Sequence, residues 1–142
     1  MTAKPRARAT PRTFKRPAAR QRLPGYDSTL GGILVHNAFL RIPVEEALTA
    51  AGLELVYLSS TATVHLPLRI LVAGLEELGP HGTQAVAGLR SMGTEVLVFG
   101  RPEQAAALRA LQASGALAAE RASFLVRLPE LVALALAGPS RR

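Results

Sequence analysis

The chain has 142 residues, 49% of them hydrophobic, which suits one domain with its own core. Residues 1–24 carry eight basic side chains (Lys4, Arg6, Arg8, Arg12, Lys15, Arg16, Arg20 and Arg22) and no acid, whereas residues 25–142 carry nine basic and ten acidic groups, so the net +7 belongs to the N-terminal arm. There is no cysteine, which excludes disulfides, thiolate metal sites and cysteine nucleophiles.

No apolar run reaches the roughly 18 residues of a membrane span. No apolar stretch of the secretory kind follows the basic start. The arm is Arg-rich and acid-free, as mitochondrial presequences are, but Pro5, Pro11, Pro17 and Pro24 argue against an amphipathic presequence helix. A cytoplasmic location is expected.

Taken in order, the arm lacks hydrophobic periodicity and is expected to be disordered on its own. Residues 1–28 are assigned to it, residues 29–138 to an α/β domain and residues 139–142 to a short tail. Gly31-Gly32 is expected to precede the first strand, at residues 33–35 (ILV), an apolar run typical of a strand buried on both faces. Residues 43–51 (PVEEALTAA) read as a helix with Pro43 at its first position and Gly52 closing it. Strands follow at residues 55–58 and 69–73, then a helix at 83–92 ended by Gly93, and a strand at 96–99. A helix at 102–114 starts on Pro102, a fifth strand is expected at 124–126, and a last helix at 129–137. Only about ten residues, 59–68, join the second and third strands, too few for a full crossover helix with loops. A single turn or extended strap is preferred there. A strand at 61–65 hairpinned to the second strand is the alternative.

Strands alternating with helices imply a three-layer α/β/α sandwich with a mostly parallel five-stranded sheet of order 2-1-3-4-5, its second helix reduced or absent. Over residues 32–137 the chain resembles a response-regulator receiver domain. ILVHNAFLR followed by EALTAAGLELV is similar to the family's first strand, acidic loop, first helix and second strand. RILVAGLEELGPHG is similar to the third strand and the loop after the phosphoacceptor, TEVLVFG to strand four, and SFLVRLP to strand five. The resemblance implies a pocket with two acids after strand one, an acceptor aspartate after strand three, a hydroxyl after strand four and a lysine after strand five, around Mg²⁺. In this sequence those positions fall at His36 and Asn37, Gly74, Gly100 and Arg127. Glycine cannot accept a phosphoryl group, so the resemblance implies a degenerate pseudo-receiver, a fold kept for binding and not for catalysis.

Other constellations are weaker. His36, His65 and His81 are isolated and lack metal-ligand spacing, so loop or strand-end placement is expected. Glu76 and Glu77 are expected to be plainly solvated. No phosphate loop and no nucleophile motif is present, so no enzyme, cofactor or metal is expected. The leading expectation is a protein-interaction module, with the face built from residues 102–114 and 124–127 as its contact and Arg101, Arg109 and Arg127 as polar contacts. Loss of the second helix could expose apolar sheet and favour a homodimer. A different class of function is nucleic-acid binding by the arm, whose eight cations suit a phosphate backbone without reading bases. A third is a small-molecule site or enzyme at the strand ends near His36, Asn37 and Gly74.

Overall fold

The computed structural model describes residues 23–64 and 66–137. The arm cations from Lys4 to Arg22, His65 and the tail at 139–142 lie outside the described residues. Five strands, β1 (Leu30–Leu34), β2 (Glu54–Tyr57), β3 (Ile70–Gly74), β4 (Glu95–Gly100) and β5 (Leu117–Glu120), form one sheet. The helices are α1 (Ala38–Ala50), α2 (Leu75–Leu78), α3 (Gly82–Ser91), α4 (Ala105–Ala113) and α5 (Arg121–Leu136). The order is β2-β1-β3-β4-β5 and every neighbouring pair is parallel. All carboxyl ends therefore open on one edge of the sheet.

The two faces of the sheet are sorted by side-chain alternation. Ile70 and Val72 pack with Val44, Leu48, Phe124 and Leu128 from α1 and α5. Leu71 and Ala73 pack with Val86, Leu108 and Leu111 from α3 and α4. β1 begins at Leu30, so Gly31 and Gly32 lie within it and do not precede it. The close packing explains Gly32: a Cβ there would stand 2.6 Å from Leu68 Cδ1.

Three further sequence expectations change. First, α1 starts at Ala38, and Pro43 is inside the helix, not at its first position. The start is set by Asn37, whose Oδ1 accepts the N–H groups of Phe39 (2.8 Å) and Leu40 (3.1 Å). Second, residues 124–126 are helical, and the fifth strand is Leu117–Glu120. Third, α5 runs through Pro129, because Phe124, Leu128, Leu131 and Ala135 recur at helical spacing and are all buried.

The link from β2 to β3 is a strap carrying one 3-10 turn, Thr61–Thr63, in place of a second helix. Between the strap and α3 runs an apolar groove of about 410 Å³, lined by Val64, Leu66, Leu89 and Met92 among others. At the opposite edge from the carboxyl ends, residues 23–28 lie against the domain. Gly25 N–H donates to the Met92 carbonyl (2.7 Å) and Ser28 Oγ to the Pro67 carbonyl (2.7 Å). Buried Arg69 stacks on Tyr26 (5.0 Å to the ring centroid) and donates through Nη2 to the Leu136 carbonyl (2.9 Å).

Candidate functional site at the carboxyl edge

In open parallel sheets, ligands bind where the strands end. Here the turns after β1, β3, β4 and β5 bring Asn37, Gly74, Gly100 and Arg121 around one cleft of about 140 Å³. Of the residues expected at the pocket, Asn37, Gly74 and Gly100 line this cleft, and His36 adjoins it through a hydrogen bond. Arg127 is elsewhere. It lies in α5, exposed, with Nη2 3.5 Å from Glu130 Oε2. The basic residue that follows β5 is Arg121, six positions earlier in the chain.

The four-residue helix α2 organises the cleft. It starts directly after Gly74 and carries two adjacent carboxylates that reach opposite ways. Glu77 Oε2 accepts the backbone N–H of His36 at 2.8 Å, which ties the turn after β3 to the turn after β1. Its other oxygen, Oε1, occupies the space into which a side chain at Gly74 would project: a Cβ built there would overlap it. Glu76 Oε2 pairs with Arg101 Nη1, which ties the same turn to the one after β4. The expectation that both glutamates are simply solvated is corrected by these contacts.

Arg101 is the hub on the β4 side. Its Nε also meets Glu103 Oε2 at 2.8 Å. Its backbone N–H donates to Gln104 Oε1 (2.8 Å), and the Gln104 N–H returns to the Arg101 carbonyl (2.9 Å). The Glu76 carboxylate, with Glu103 behind it, raises the Arg101 guanidinium above its ordinary range. Glu103 is held below the usual carboxylate range, first by its own backbone N–H and then by Arg101. At Gly100, an added Cβ would stand 3.0 Å from Gln104 Oε1 and 3.2 Å from Leu108 Cδ2. A bulkier residue there would press on both.

The oxygen donors do not suit a hard Mg²⁺ ion, which wants several freely presented oxygens in octahedral array. Asn37 Oδ1 caps α1, Gly74 has no side-chain donor, and Glu77 Oε2 accepts the His36 N–H. Among the described residues no group of three or more His, Cys, Asp or Glu side chains is placed to hold a metal ion. His81 is exposed just before α3 and does not line the cleft. Three contributors to the cleft were not foreseen: Arg121, Gln104 and the two-way reach of Glu76 and Glu77. The sequence signal for Gln104 is its place three residues after Arg101, beyond Pro102 at a helix start.

No protein-family profile and no curated protein matches the chain. Solved structures do. A candidate response regulator from Chloroflexus aurantiacus is similar over 75% of this chain and 99% of its own, at 16% identity and a TM-score of 0.52. A response regulator in red-light signalling of R. palustris is similar over 72% of this chain and 91% of its own, at 17% identity and a TM-score of 0.46. Among the described residues no helix is long and apolar enough to cross a membrane. The likeness to the first of these structures and the parallel 2-1-3-4-5 sheet together establish a receiver-like α/β fold for this chain.

Proposed function

We propose that this chain is a receiver-like interaction module that takes no phosphoryl group and carries out no catalysis. The observation that carries the reading is the position of the Glu77 carboxylate, which fills the space over Gly74 where an acceptor side chain would stand. His36, Asn37, Gly74 and Gly100 are then the positions of a degenerate pocket. The acceptor and hydroxyl positions are glycines, and the side chain of Asn37 is used to cap α1. Arg121, not Arg127, is the basic residue nearest to that pocket's fifth position.

The partner surface in this reading is α4 with the β5 edge and the outer side of α5, since both helices pack against β5. Arg109 on α4 and Arg127 on α5 are exposed and suited to polar contact. Arg101 is already engaged by Glu76 and Glu103, so it serves the internal network first. Incubation with a small phosphodonor and Mg²⁺ is the test, and a hydroxylamine-sensitive adduct on the chain would overturn the reading.

A second reading rests on charge. Residues 1–24 hold a formal +8 while residues 25–142 sum to −1. Such an arm suits sequence-independent contact with DNA or RNA phosphates, with affinity falling steeply as salt rises. Removing residues 1–22 should abolish a low-salt gel shift. A full-length chain that shifts neither DNA nor RNA at low salt would remove this reading.

A further inference from the structure

The carboxyl edge carries a latch. We propose that α2 locks the turns after β1, β3 and β4 into one rigid unit. Glu77 holds His36 on one side and Glu76 holds Arg101 on the other. The approach to α4 is thereby set by internal carboxylates and not by an external signal. This deepens the reading given above, on which it rests, by naming how the site is regulated: it is held permanently in one state.

The geometry for this is specific. Glu76 and Glu77 are adjacent on a helix of only four residues, so a shift of that helix moves both of their anchor points. α2 is anchored at its far end by Leu78, which is buried in the core shared with α3 and α4. Arg101 stands immediately before the 3-10 turn Pro102–Gln104, which runs directly into α4. Gln104 is held at both its backbone and its side chain by Arg101. A continuous path of hydrogen bonds and ion pairs thus runs from the His36 N–H through Glu77, α2 and Glu76 to Arg101 and the start of α4. An exposed ion pair alone is weak. What gives this one leverage is that it acts in series with the Glu77 hydrogen bond through the short helix between them.

Amide hydrogen exchange on the full-length chain, with no phosphodonor or partner present, tests the latch. In the wild type the His36, Arg101 and Gln104 amides should all be protected. Glu77→Ala should speed exchange at His36 and also at Arg101 and Gln104, each by about threefold or more, as expected when a cooperative local unit is loosened. Gly74→Ala attacks the same carboxylate from the other side, because the added methyl group displaces Glu77 Oε1. It should produce the same spread, which keeps the test open if one variant folds poorly. Glu77→Gln keeps an acceptor for His36 and should give a smaller effect. Faster exchange confined to His36 in both Glu77→Ala and Gly74→Ala would overturn the latch. That outcome is independent of phosphodonor labelling, so a failed latch and a failed non-acceptor reading are told apart.

Discussion

Glu77 Oε2 accepts the backbone N–H of His36 at 2.8 Å across a separation of 41 residues, joining the ends of β1 and β3 over Gly74. This bond explains why glycine is suited to position 74. A second carboxylate at that position would face Glu77 at close range, and like charges so placed disfavour ionisation of both. Gly74→Asp is therefore expected to lose about 1–2 kcal/mol of stability at neutral pH. The double variant Gly74→Asp/Glu77→Gln should be more stable than Gly74→Asp alone. Urea unfolding of the four proteins in the cycle checks this, and additive losses would contradict it.

Asn37 occupies a position where the resemblance implies an acid, yet its measurable role is local. Its side chain satisfies two N–H groups at the start of α1. Asn37→Ala should cost about 1 kcal/mol, and Asn37→Asp should cost little or nothing, because aspartate caps equally well. Thermal unfolding monitored by circular dichroism distinguishes the two.

Arg69 ties three parts of the chain at the amino edge of the sheet. It stacks on Tyr26, caps the carboxyl end of α5 at Leu136 and is 7% exposed. Arg69→Ala should destabilise the domain by about 2–3 kcal/mol, since a buried charged donor and its packing are lost together. Tyr26→Leu keeps the bulk and loses only the ring face, so its cost should be about 1 kcal/mol. Equal losses in the two variants would contradict this division.

Glu103 provides a pH signature. Its carboxyl titrates below the ordinary range because its own backbone N–H and then Arg101 stabilise the ionised form. A depressed folded-state pKa means the contribution is present above the unfolded value and is lost as pH falls through the folded one. Carboxyl NMR of labelled glutamate should show Glu103 titrating below the usual range. Arg101→Met should raise it partway, leaving the backbone contribution in place.

Most of the fold was legible in the sequence, because apolar runs for β1, β3 and β4 and the glycines after the helices mark their places directly. The strap was legible too, from chain length alone. The fifth strand was not. Its residues, Leu117–Glu120, are leucine, two alanines and glutamate, and alanine has low strand propensity. The phenylalanine, leucine and valine at 124–126 carry a stronger strand signal but belong to α5, where burial of every third or fourth residue prevails. Two prolines misled in the same way. Pro43 and Pro129 resemble helix starts, yet both lie inside helices whose starts are set earlier, by the Asn37 cap and by the buried run from Phe124. The same shift moves the site residue: Arg127 follows residues 124–126, which are helical, whereas the basic residue that follows β5 is Arg121. The reach of Glu76 and Glu77 could not be read locally, because their partners are 25 and 41 residues away.

Phosphodonor labelling tests the central claim most directly. The full-length chain would be incubated with acetyl phosphate and Mg²⁺ beside a receiver domain that retains its acceptor aspartate, and intact masses compared before and after hydroxylamine treatment. The account predicts that the control gains a labile phosphoryl group while this chain keeps its original mass. A phosphoryl group on this chain that hydroxylamine removes would contradict it.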